Sequence, residues 1–154
     1  MAIRIRPVDR HDTARLGVLL DQLGYPTDDA DVHERLTYWL HDQASVLLGA
    51  DDAGELIGVA ALHVCPILER TGRFGRVVAL VVDDRYRGQG VGHSLLTEIE
   101  RRAWAAGCIM MEVTSSVHRD AAHRFYAGLG YEDTVDRSRR FIKPLPPDGE
   151  SPRR

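Results

Sequence analysis

The stretch from Arg76 to Leu96, RVVALVVDDRYRGQGVGHSLL, constrains this chain more than any other part of it. Val77 to Val82 is an unbroken apolar run, as expected of a strand buried on both faces. Two aspartates and a short polar segment follow. Then come Arg87-Gly88-Gln89-Gly90-Val91-Gly92 and a helical pattern that turns Val91, Leu95, Ile99 and Ala103 inward. Strand, glycine loop and helix start, in that order, present free backbone N–H groups at the positive end of a helix, a geometry that binds phosphate. Glycine permits the positive φ such a loop needs and keeps side chains away from the anion. The plain alternative is a Gly-rich turn that binds nothing.

Three phosphate-binding patterns compete for the loop. A nucleotide P-loop needs a glycine five positions before Gly92 and a lysine just after it, where this chain has Arg87 and His93. The dinucleotide fingerprint is GxGxxG, and this loop is GxGxG; Glu112 lies a suitable distance downstream, but inside an expected strand rather than at its end. The third pattern, (Arg/Gln)xxGx(Gly/Ala), is met by Arg87, Gly90 and Gly92. On it the chain resembles the GNAT superfamily of N-acetyltransferases, whose loop holds the pyrophosphate of coenzyme A. The resemblance implies acetyl-CoA as acyl donor, bound by Arg87, Gly88, Gln89, Gly90, Val91, Gly92 and His93.

The rest of the chain fits one domain. At 154 residues it is long enough for a real core, with a domain expected over residues 1–144 and a Pro-rich, polar, disordered tail over 145–154. A net charge of −3 argues against nucleic acid as the main partner. No apolar run approaches membrane-spanning length, and MAIRIRPVDR lacks the apolar core of a signal peptide, so a cytoplasmic protein without a membrane partner is expected. Cys65 and Cys108 sit in apolar, strand-like runs and are expected as buried thiols; without matching histidine spacing they make no metal site.

In chain order, Ile3–Arg6 alternates as a strand, and helices are expected after Asp9 or Asp12 and after Thr27 or Asp28. A hairpin is expected from Ser45–Ala50 and Glu55–Val64, then the central strand, the helix after the loop, and a strand over Cys108–Val113. Residues 118–131 carry Ala122, Phe125, Tyr126 and Leu129 on one helical face. Two short strands are expected to close the chain near Tyr131–Val135 and Arg139–Ile142. The sum is an α+β domain with a mixed, mostly antiparallel sheet of about seven strands and four helices on its faces. It matches the GNAT order apart from the tail.

Acetyl transfer to an amine requires a polarised thioester carbonyl and a proton for the departing thiolate. The resemblance implies that backbone N–H groups of Leu80, Val81 and Val82, foremost Val82, meet the carbonyl where the central strand splays from the next one. An ordinary buried strand is the plain alternative. The family pattern Asn-x-x-Ala-x-x-x-Tyr-x-x-x-Gly is met by Ala122, Tyr126 and Gly130, with Arg119 in place of the asparagine, which implies Tyr126 as the general acid. Its plain alternative is core packing. Glu69, His63, Glu112 and His118 are candidates for the amine's base, and none is singled out. Asp28, Asp29, Asp31 and Glu34 complement a helix dipole or form an acidic lip for a cationic amine. The segment DAAHRFYAGLGYE further resembles aminoglycoside-type small-molecule acetyltransferases. A small cationic amine is therefore the expected acceptor, a protein amino group the second choice, and a non-catalytic acyl-CoA-binding regulatory module the rival from another class. The family also points to a homodimer.

Overall fold

The computed structural model describes residues 2–149 and divides into two compact units, one ending at Thr114 and the other starting at Ser115. The first unit holds five strands: β1 (Ile3–Pro7), β2 (Ser45–Asp52), β3 (Glu55–Pro66), β4 (Arg73–Val82) and β5 (Cys108–Val113). It also holds α1 (Thr13–Leu23), α2 (Asp29–Trp39) and α3 (Val91–Ala105), while α4 (Asp120–Gly128) belongs to the second unit.

Local chemistry sets the boundaries. Asp9 and Asp12 form a reciprocal capping box ahead of α1, and Gly24 at φ 105° ends that helix with the Tyr25 N–H returning to the Leu20 carbonyl. Asp28 caps α2 by accepting from the Asp31 N–H. Ala53 and Gly54, both at positive φ, make the tight turn between β2 and β3, pinned by the Asp51 carboxylate on the Gly54 N–H. Among the described residues, no helix is long and apolar enough to cross a membrane.

The sheet runs β1-β2-β3-β4-β5, antiparallel throughout except for the parallel β4–β5 pair that α3 connects. This α+β sheet has five strands, not about seven. The expected strands at Tyr131–Val135 and Arg139–Ile142 are absent because local bonds compete with a ladder there. The Asp133 carboxylate accepts from the Val135 N–H, and the Thr134 carbonyl accepts from both Arg137 and Ser138. Phe141 and Ile142 stand exposed. In the expected tail, the Gly149 N–H closes a turn on Pro146, and residues 150–154 lie outside the described part. Cys65 and Cys108 are free thiols, each half-buried rather than buried.

Two helical layers sandwich the sheet. Val8, Leu16, Leu19, Val32, Leu36, Leu56, Val59 and Val81 form the core under α1 and α2. A Cβ on Gly58, the neighbour of Val59, would instead meet Leu95 and Val91 of α3. Successive strand residues point to opposite faces, so α3 lies across the sheet from α1 and α2. By the same test Gly75 faces α3, since its Cβ would meet Ala103, Leu62 and the Met111 sulfur. Its neighbour Arg76 therefore faces the α1/α2 side.

Candidate functional site

The central strand opens beside Leu80–Val82, the residues that the resemblance leads one to expect near a thioester carbonyl. In β3–β4 pairing, Ala61 opposes Ala79 and Leu62 opposes Val77, which leaves Val78 as the extra residue of a bulge. Parallel pairing between β4 and β5 ends at that point, with Val77 opposite Val113 the last pair. From Val78 to Val82 the β5-side edge of β4 is unpaired, and Leu80 and Val82 are half-exposed while Val81 is buried in the core. A bulge that bends one strand away from its neighbour exposes backbone polar groups inside a sheet.

The glycine loop continues from that edge. Gly88 and Gly90 take φ of 75° and 82°, and nothing stands within 4 Å of where a Cβ would project from either. Gly90 is the N-cap of α3 and supplies no side-chain cap. Within the described residues none of the backbone amides of residues 88–93 donates to a carbonyl. Those amides face the positive end of a fifteen-residue helix, anchored beneath by buried Val91. Gln89 and His93 are exposed, Gly92 is half-exposed, and the Gln89 side chain reaches back to the Arg85 carbonyl. Arg87 is engaged: its guanidinium pairs with Asp84 at 2.7 Å and bonds the Val82 carbonyl at 3.3 Å. Its side chain must leave these partners to meet an anion, whereas the loop's amides are already free.

A cluster of charges around buried Asp83 braces the start of the loop. Asp83, 1% exposed, accepts from Arg85 (backbone at 3.0 Å, guanidinium at 2.9 Å) and from Arg15 of α1 at 2.5 Å. Its own N–H bonds the Ile57 carbonyl. Arg85 also reaches Glu55, and the Tyr86 hydroxyl donates to Asp52 at 2.7 Å. The Arg85 guanidinium above all, with the Arg15 guanidinium, holds the Asp83 carboxyl well below the usual carboxylate range. Sequence reasoning passed over Asp83, Arg85 and Arg15. The adjacent Asp83-Asp84 pair between an apolar strand and the loop was a visible signal for Asp83; Arg15, in a distant helix, left none.

Tyr126 lies on α4 in the second unit, half-buried between the edges of Phe125 and Tyr131 at 5.3 and 5.8 Å. Burial pushes its phenol above the ordinary value, with Arg119 opposing, so it stays protonated at neutral pH. Arg119, standing where the family pattern has asparagine, is the N-cap residue of α4 without a side-chain cap. Among the base candidates, Glu69 and His118 are exposed in connecting segments, while His63 and Glu112 are half-exposed on β3 and β5. Asp28 is committed to its cap, and Asp29, Asp31 and Glu34 are exposed along α2.

Comparison with known proteins follows this geometry. A family model described as "Acetyltransferase (GNAT) family" matches residues 16–131. The chain is 36% identical over 92 residues to an aminoalkylphosphonate N-acetyltransferase of Salmonella typhimurium, covering 60% of this chain and 58% of that protein. It is 33% identical over 79 residues to a glucosamine 6-phosphate N-acetyltransferase of Trypanosoma brucei brucei, covering 51% of this chain and 52% of that one. The matches thus span little more than half the length of these relatives. A GNAT family acetyltransferase of Staphylococcus aureus has a solved structure that superposes with a TM-score of 0.77 at 25% identity, covering 94% of this chain and all of the other.

Proposed function

Because the chain belongs to the acetyltransferase (GNAT) family, we propose that it moves an acetyl group from acetyl-CoA directly to the primary amine of a small molecule. The observation that carries this reading is the run of uncommitted amides over residues 88–93 at the end of an open strand edge. In this reading those amides take the diphosphate. The unpaired edge of β4 takes the pantetheine arm as one more strand-like partner, and an amide among Leu80, Val81 and Val82, foremost Val82, meets the carbonyl oxygen. Donors fixed before the reaction stabilise charge that develops on that oxygen. Tyr126 gives its proton to the departing thiolate. Direct transfer is favoured because both cysteines lie at the far end of β4 from its open edge, Cys65 opposite Phe74 and Cys108 opposite Arg73.

The Salmonella typhimurium and Trypanosoma brucei brucei relatives are named for small amines that also bear a phosphonate or phosphate, so an aminoalkylphosphonate and glucosamine 6-phosphate head the acceptor panel, followed by an aminoglycoside and a peptide N-terminus. Acetyl-CoA a hundredfold above its Kd is expected to stabilise the protein by about 2.7 kcal/mol, a melting shift of roughly 5–10 °C for a chain of this size. Thiol release should then depend on a small amine. A shift without release for any acceptor would leave a binding module; no shift at all would remove the donor from the reading.

Tyr126→Phe keeps the ring packing against Phe125 and Tyr131 and removes only the hydroxyl. Turnover is expected to fall on the order of 100-fold, as for loss of a general acid, with acetyl-CoA affinity nearly intact. An unaltered rate in steady-state kinetics would return this residue to plain packing.

A further inference from the structure

Four neighbouring strands carry a polar row across the α1/α2 face. Ser45 of β2 stands opposite His63 of β3, His63 opposite Arg76 of β4, and Arg76 opposite Glu112 of β5. Residues directly opposite one another share a face. That it is the α1/α2 face follows from their neighbours, since Leu62, Gly75 and Met111 converge on the α3 side. All four are half-exposed, whereas the α1/α2 core farther along the same strands is closed. Asp42, in the turn after α2, completes the row: the Ser45 hydroxyl donates to its carboxylate at 2.5 Å and lies 3.1 Å from His63 Nδ1, which is 3.7 Å from the same carboxylate. At the other end Arg76 pairs with Glu112 at 3.6 Å and reaches the Thr114 hydroxyl at 3.5 Å.

This arrangement fixes what His63 can do. The Ser45 proton is committed to the Asp42 carboxylate, the stronger acceptor, so the Ser45 oxygen is left to accept from His63 Nδ1–H. Nε2 then carries the lone pair. The Ser45 hydroxyl, with the Ala44 amide, also holds Asp42 below the usual carboxylate range, so a negative charge stays beside the ring. An imidazole held in this tautomer presents the Nε2 lone pair on the side away from Ser45, where a proton donor can meet it.

Position supplies the other half of the argument. Arg76 and Glu112 are the pair immediately before Val77 and Val113, where β4 and β5 part. The row, the open edge over Val78–Val82 and the loop over Arg87–His93 therefore follow one another along a single line of chain. A donor anchored by its diphosphate at the loop presents its acyl end toward the row, and an acceptor has to arrive from the row's side. We propose that Asp42, Ser45, His63, Arg76 and Glu112 form the acceptor subsite, which takes a small primary ammonium group, and that His63 Nε2 removes its proton. This rests on the acetyl-transfer reading above.

The step balances as follows. The ammonium gives one proton to His63 Nε2, and the freed nitrogen pair forms the N–C bond. The C–S bond breaks and its pair leaves on the thiolate, which takes the Tyr126 proton; the nitrogen's second proton passes to solvent, from which the phenol is restored. The third hydrogen stays on the amide, and His63 returns its proton to solvent. The Asp42 carboxylate favours a cation here, while the charges of Arg76 and Glu112 meet each other.

His63→Gln retains a polar side chain of similar reach and abolishes the base. With aminoalkylphosphonate and glucosamine 6-phosphate as acceptors, kcat/KM at pH 7 is expected to fall about 100-fold. The deficit should shrink as pH rises toward 9, where free amine no longer needs the imidazole. The acetyl-CoA melting shift should match that of the parent protein, which separates failure of this proposal from failure of the donor site. Ser45→Ala, which frees the ring to rotate, should give a smaller deficit with the same pH dependence. It also serves as the test if the histidine variant does not fold. An unchanged rate in either variant, or a deficit equal at all pH values, would overturn the assignment.

Discussion

Replacing Gly90 by valine is expected to abolish the acetyl-CoA melting shift while leaving the unliganded protein folded. Gly90 sits at φ 82°, a region a β-branched residue occupies only under strain of roughly 1–3 kcal/mol. The open space around it means the new side chain meets no protein atom, so nothing pushes the core apart. What changes is the direction of the following amides, together with an isopropyl group standing where an anion has to approach. Anion binding at a helix start depends on several N–H groups converging on one point. A turn that relaxes toward negative φ disperses them, and affinity should drop by at least about 100-fold, some 2.7 kcal/mol. Calorimetric titration of both proteins with acetyl-CoA measures this directly; retained affinity would place the diphosphate elsewhere. Gly90→Ala should lie between the two.

The second large effect is on stability. Asp83→Asn keeps the shape of a side chain buried at 1% exposure but removes the charge that Arg15 and Arg85 share. Arg15 and Arg85 stay in reach of water, so the loss is that of charge-assisted hydrogen bonds to a buried carboxylate rather than of a fully buried pair, about 2 kcal/mol. For a chain of this length that corresponds to a melting temperature roughly 4–8 °C lower. The pH dependence has a definite sign. The folded-state pKa of Asp83 is depressed, chiefly by Arg85, so its contribution is complete above the unfolded carboxyl value of about 4 and is lost as pH falls through the lower folded value. Melting followed from pH 7 down to pH 2 should show a steeper acid decline in the parent than in the variant. Parallel curves would mean that the two arginines do not stabilise the charge.

Much of this was legible in the chain. The run Val77–Val82 and the glycines after it specify strand, loop and helix by local rules, and the structure follows them closely because each element's own chemistry agrees with its surroundings. The hairpin turn at Ala53-Gly54 was similarly readable. Features made by pairing were not. The bulge at Val78 arises from register between β3 and β4, and no residue type announces it. The polar row on the α1/α2 face needs the registers of four strands at once, so His63 and Glu112 stood only as two of four separate candidates for the base, and Ser45 and Arg76 drew no functional reading. The two closing strands failed for the opposite reason. Their pattern was too short to outweigh the Asp133 and Thr134 turn bonds that a side-chain count ignores.

Arg15 and Asp83 stand 68 residues apart, and their contact joins the first helix to the segment just ahead of the glycine loop. Bringing such distant positions together carries an entropic cost that neighbouring segments do not face. Local interactions suffice to shape α3 and its glycine turn, whereas the contact that braces the turn against α1 needs two distant segments to meet. On the proposed reading, the turn's hold on a diphosphate then depends on this long-range contact as well as on the helix that bears the site.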